Sequence, residues 1–213
     1  MKEGKASYTA ELVAIDRGVE SMKPEHRRVC YDPLAVHFLS TRYRVIAKSH
    51  LLTRFVYWYR RGRICPGAVG EVVTRTRFID DYLAKCIDDG IQQLVILGAG
   101  YDTRAYRTEV LKGKVRVIEV DHPDTQKVKM ERLRNIFGSL PEHVVYVPID
   151  FEKEKLDKRL FESGYDRNLK TLFIWEGVTM YISAEAVDET LSFVANNSGD
   201  GSSIIFNYTF NRL

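Results

Sequence analysis

The chain is 213 residues long and 45% hydrophobic, enough to bury a sizeable core in one domain or in one domain with an extension. Its 32 basic and 29 acidic side chains leave a net charge of only +3, so no dominant basic face is implied and nucleic acid is not expected as a partner. Cys30, Cys65 and Cys86 are odd in number and far apart, with no metal-ligand spacing, and they read as reduced thiols rather than a disulfide framework.

The N-terminal stretch MKEGKASYTAELVAIDRG carries charges inside every hydrophobic run, so it does not read as a secretory signal. No run of about 18 apolar residues follows to cross a membrane. A soluble, cytoplasmic protein is the expectation. Residues 7 to about 90 read as helical. Tyr8, Leu12, Ile15 and Val19 form an apolar stripe at three- and four-residue spacing. Pro24 and Pro33 punctuate the chain, and Asp32 is placed to cap a helix with Pro33 in its first position. The run 41–59 reads as one helix rich in arginine and aromatics (Tyr43, Phe55, Tyr57, Trp58, Tyr59). It is either a packed layer with snorkelling arginines or a lid over a pocket. Gly62, Pro66, Gly67 and Gly70 then mark a loop before a helix over 72–88.

From Gln93 onward short aliphatic runs alternate with helical segments. Strands are predicted at 94–97, 115–120, 144–149, 171–175 and 203–208. Helices are predicted at 103–111, 123–137, 154–163 and 184–196. Such apolar strands alternating with helices predict an α/β fold, a doubly wound, mostly parallel sheet covered on both faces. The organisation expected is a helical extension or lid over 1–90 and a sheet core over 91–213. The chain stops just after a fifth strand, so the strands that would complete a larger sheet are expected to be missing.

In sheets of this kind ligands bind at the carboxyl ends of the strands, where strand order reverses. The first strand ends in Gly98-Ala99-Gly100, which lets backbone approach a ligand, and Asp102-Thr103 can cap the next helix. Glu119 stands 21 positions after Gly98, the spacing of an acid that accepts ribose hydroxyls. The third strand ends in Asp150 and the fourth in Trp175-Glu176-Gly177. Acids on one rim beside a glycine turn favour a ligand site over simple helix capping, although strand-end acids do cap helices. A dinucleotide usually requires a third glycine, where this chain has Thr103, and Asp102 repels a diphosphate. A phosphate-free adenosyl cation such as S-adenosylmethionine suits the acids better.

LVILGAGYDTRAYR, EVDHPDTQKVK and WEGVTMYIS, in that order, resemble the leucine carboxyl methyltransferase-like family, with further likeness through DPLAVHFLS and RTRFIDDYL over roughly residues 10–208. The resemblance implies a Rossmann-like class I methyltransferase fold. It implies S-adenosyl-L-methionine as cofactor, with S-adenosyl-L-homocysteine as product. Gly98 and Gly100 would line its methionine part, and Glu119 would bind the ribose with Asp121 as a second claimant. Asp150, followed by Phe151, would contact the adenine amino group, and Glu176 would lie beside the amino-acid end. Arg75 is similar to the arginine that pairs with the cofactor carboxylate, and Arg77 competes for that role. Members of the family are usually longer, continuing through two more strands.

The reaction implied is O-methylation of a carboxylate or hydroxyl on a small molecule or exposed chain end. Tyr181, His122, Tyr101 and Arg17 are candidates for the acceptor side, and no residue is assigned as catalytic. A non-catalytic cofactor-binding module of the same fold and a nicotinamide-dependent oxidoreductase are the competing readings.

Overall fold

A computed structural model describes residues 8–59, 67–151 and 153–208. Five parallel strands, β1 (Gln93–Leu97), β2 (Arg116–Asp121), β3 (Val144–Pro148), β4 (Thr171–Trp175) and β5 (Ser203–Phe206), form one sheet in the order β3-β2-β1-β4-β5. The chain winds outward from β1 to β3, then starts again on the other side of β1 with β4. The crevice of this Rossmann-like order therefore lies between the carboxyl ends of β1 and β4.

Strand side chains alternate between two cores. Leu94, Ile96, Val117, Leu172 and Ile174 face one cluster; Val95, Leu97, Ile118, Phe173 and Trp175 face the other. The first is covered by α1 (Tyr8–Ser21), α2 (Thr41–Lys48), α4 (Ala68–Asp88) and α6 (Pro123–Phe137), contributing Ala14, Ile15, Ala47, Ile79 and Leu133. The second is covered by α7 (Leu156–Glu162) and α8 (Ala184–Asn196) through Leu156, Leu160 and Phe193. The N-terminal helices thus share a core with the sheet instead of forming their own.

Four local departures from the sequence reading have physical causes. The run 41–59 is two helices, α2 and α3 (His50–Tyr59), because Ser49 turns extended. Its hydroxyl accepts from Leu52 N at 3.4 Å, so a residue that competes for backbone hydrogen bonds starts a new helix there. The helix predicted at 103–111 is one turn, α5 (Arg104–Arg107), followed by a 3₁₀ turn at Glu109–Leu111, with the β-branched Thr108 extended between them. Asp32 does accept from Ala35 N, at 3.1 Å, but caps only a 3₁₀ turn at Ala35–Phe38. The loop before α4 is shorter than read: Gly67, with φ +87°, precedes the helix and Gly70 lies inside it. Gly62, Cys65 and Pro66 lie outside the described residues.

On α3, Leu51, Phe55 and Trp58 stand exposed, with the Phe55 and Trp58 rings 6.2 Å apart. The packed-layer reading therefore holds for Tyr43 and Ile46 of α2, which lie against the core, and not for these three. Among the described residues no helix is long and apolar enough to cross a membrane. Cys30 and Cys86 are buried free thiols, and burial, helped by the nearby Glu20 carboxylate, pushes the Cys30 thiol up to about 11.

Candidate functional site

The turn leaving β1 is built on glycine. Gly98 has φ +64° and Gly100 φ +42°, both in the left-handed region. A Cβ on Gly98 would come within 2.2 Å of Val178 Cγ2, and one on Gly100 within 3.3 Å of Ala10 Cβ on α1. The loop after β4 and the first helix therefore both close onto this turn.

Asp121, the last residue of β2, is bound directly to it. Its carboxylate accepts from Gly100 N at 2.5 Å and from His122 N at 2.6 Å. Burial raises the Asp121 pKa, opposed by the His122 N–H and the Lys129 charge. Glu119 sits differently. It is 0% exposed and ion-paired at 2.7 Å with Lys129, a residue of α6 that is itself 1% exposed. Lys129 Nζ also donates to Ala99 O at 3.4 Å, so the pair supports the glycine turn from beneath.

Asp150, just past β3, is half-buried, with its carboxylate 3.0 Å from Lys153 Nζ and 4.0 Å from His122 Nε2. His122 itself caps α6, accepting from Asp124 N at 3.3 Å. Phe151 packs at the edge of the second core and lines a groove of about 400 Å³ between α7 and α8.

At the end of β4, Glu176 joins a network of charges. Arg75 of α4 donates from Nε to Glu176 Oε1 at 2.8 Å and from Nη1 to Glu71. Its Nη2 lies 4.0 Å from where a Cβ on Gly177 would stand, so it faces the turn after β4. Arg77, two residues on, points away: its Nε pairs with Asp81 at 2.7 Å and both side chains are 59% exposed. The geometry brings Arg75, and not Arg77, to the strand ends.

Sequence reasoning missed the centre of this network. Arg104, 1% exposed, donates to Asp80 Oδ1 at 2.7 Å, to Asp102 Oδ2 at 2.6 Å and to Glu176 Oε2 at 2.9 Å. Burial is the largest influence on Asp102 and Glu176 and works against their ionisation, but the cations together outweigh it, Arg104 with Arg17 and Lys129 at Asp102 and Arg104 with Arg75 and Arg17 at Glu176; both carboxyls are held below their usual range. Arg104 lies inside the GAGYDTR stretch, yet arginine is so seldom buried that sequence alone gave no cause to place it there.

Two acceptor-side candidates are structural. Tyr101 is 3% exposed, with its ring between Phe38, 5.7 Å away, and the Arg132 guanidinium, 4.7 Å away. Arg17 pairs with Asp32 at 2.9 Å and donates to Tyr101 O at 2.5 Å. Tyr181, in the 3₁₀ turn after β4, is 60% exposed.

The α5 N-terminus offers little to a diphosphate. The helix is a single turn, and the Arg104 N–H is already taken by Asp102 Oδ1 at 2.8 Å. Carboxylates, one guanidinium and a glycine turn remain, a donor set suited to a phosphate-free ligand that carries both cationic and hydroxyl groups.

The chain is similar to known proteins. Bacillus subtilis YktD, provisionally named an S-adenosyl-L-methionine-dependent methyltransferase, is 39% identical over 141 residues, covering 66% of this chain and 46% of YktD. A Mycolicibacterium gilvum protein with the same provisional assignment is 34% identical over 203 residues, covering 94% of this chain and 65% of its own length. The chain spans about half the length of the first curated relatives it matches. Among solved structures, an S-adenosylmethionine-dependent methyltransferase from Clostridium acetobutylicum aligns with TM-score 0.44 and 16% identity, over 74% of this chain and 57% of that one. The model of the leucine carboxyl methyltransferase family matches residues 10–195, most of the chain from α1 through α8, and the protein belongs to that family.

Proposed function

We propose that the chain binds S-adenosyl-L-methionine at the carboxyl ends of β1, β2 and β4 and transfers its methyl group to a carboxylate or hydroxyl oxygen. The observation that carries this reading is the direct bond from Gly100 N to Asp121, beside the Arg75–Glu176 pair on the same rim. The names of the relatives point the same way.

In this reading Asp121 accepts the ribose hydroxyls, because it is the acid of β2 at the rim, while Glu119 is committed to Lys129. Asp150 and Phe151 flank the adenine. Arg75 takes the ligand carboxylate with its Nη2, a geometry that guanidinium suits. The bound cofactor supplies a methyl carbon activated by a positive sulfur. The protein's work is alignment and exclusion of water. A carboxylate acceptor is already ionised near neutral pH and needs no general base, whereas a hydroxyl acceptor does.

Calorimetric titration with S-adenosylhomocysteine tests the reading. Saturable one-site binding is expected, and its absence in folded protein overturns the proposal. Methyl transfer from labelled cofactor to a panel of small carboxylates and alcohols then separates an enzyme from a module that binds without reacting.

A further inference from the structure

We infer that Arg104 is a positioning residue, which aims Arg75 at the cofactor carboxylate by anchoring the far oxygen of Glu176. The inference rests on the S-adenosyl reading of the site and concerns a residue that touches no ligand in it.

The geometry is a relay of two guanidinium groups through one carboxylate. Glu176 Oε2 is held by Arg104 Nη1 at 2.9 Å, and Glu176 Oε1 holds Arg75 Nε at 2.8 Å. With both oxygens committed, Glu176 cannot swing to grip Arg75 in a two-pronged pair, and Arg75 Nη2 stays clear of it. Arg104 is itself fixed on its other edges, by Asp80 on α4, by Asp102 on the β1 turn and by the Thr76 carbonyl at 3.4 Å. Arg107 shares Asp80, at 2.7 Å, and steadies it. Only a planar fork with several donors reaches acids from three elements at once; an ammonium is a single point. The network joins α4, the turn after β1 and the loop after β4, the three segments that frame the crevice.

Arg104 also sets the protonation of its neighbours. Glu176 faces Arg104 from α5, Arg75 from α4, Asp102 from the β1 turn and Arg17 from α1. Asp102 faces Arg104, Arg17 and Lys129 of α6. Without Arg104, burial raises both carboxyls toward neutrality, and a protonated Glu176 no longer orients Arg75.

The test is the dissociation constant of S-adenosylhomocysteine for the full chain and its Arg104→Met and Arg104→Lys variants, measured from pH 6 to 8.5. Thermal unfolding at each pH confirms that the samples are folded. Dividing each variant's value by that of the unsubstituted chain removes titration of the ligand itself. Arg104→Met is expected to bind at least tenfold more weakly at pH 6 and to recover as pH rises. Adding Glu176→Gln should abolish that recovery. Arg104→Lys, which keeps the charge but not the fork and is the variant expected to fold, should show a smaller loss that changes little with pH. A folded Arg104→Lys that binds as tightly as the unsubstituted chain at every pH, or a folded Arg104→Met whose ratio does not change with pH, overturns the inference. Failure of the unsubstituted chain to bind overturns the S-adenosyl reading first, and this inference with it.

Discussion

Two carboxylates on β2 show how surroundings decide what a residue does. Glu119 and Asp121 are two positions apart and face the same side of the strand, yet one meets Lys129 and the other meets the Gly100 N–H. Replacing Asp121 with Asn is expected to weaken S-adenosylhomocysteine binding about tenfold, since a charged acceptor becomes a neutral one. Replacing Glu119 with Gln leaves Lys129 buried without its counter-charge and should cost about 3–5 kcal/mol in denaturant unfolding. Calorimetry on both variants separates the roles; a Glu119→Gln protein of full stability but poor affinity would reverse them. Sequence spacing pointed first to Glu119, because it stands 21 positions beyond Gly98. What spacing does not carry is the tertiary fact that α6 delivers a lysine underneath. The Gly98–Gly100 turn was legible because only glycine tolerates its backbone, which leaves a mark in the chain.

At the scale of elements, the α/β alternation was readable from Gln93 onward because strands buried on both faces must be aliphatic throughout. The breaks were less so. Ser49 and Thr108 are ordinary residues within helical patterns, and what ends the helix in each case is a local extended conformation. The docking of α1 was not legible at all. It depends on Arg17 pairing with Asp32, which in turn accepts from the Thr103 hydroxyl at 2.6 Å, across 71 positions of sequence. Asp32→Ala strands a buried Arg17 and is expected to cost about 3–5 kcal/mol. It should also loosen the turn that α1 covers. Urea unfolding gives the first quantity, and protease cleavage within α1 reports the second; a variant as stable as the parent would show that α1 is held by apolar packing instead.

For the molecule as a whole, buried charge makes stability depend on pH, and the sign follows from the direction of each shift. Asp102 and Glu176 have lowered pKa values, so the stability they contribute is complete above their ordinary values of 3.8 and 4.5 and is lost as pH falls through that region. Asp121, whose pKa is raised, acts in the opposite sense: its contribution is present in acid and lost as pH rises through its folded value. The melting temperature is therefore expected to drop below about pH 4.5, and Asp102→Asn should flatten that acid limb. Scanning calorimetry from pH 3 to 8 measures it, and an acid limb unchanged by Asp102→Asn would place the loss elsewhere.

The single core shared by α1 and the sheet also fixes an order of events during synthesis. Ala14 and Ile15 leave the ribosome before the strands they pack against, and β4 and β5 follow the other three strands. At about 5–20 residues per second, the apolar stripe of α1 waits roughly ten to forty seconds for the five strands described here. Throughout that interval it is a surface without a partner, a natural ligand for chaperones and a hazard when many chains are made at once. Slowing translation after α4 should thus lengthen the vulnerable period, whereas chaperone supply should raise the yield of folded protein.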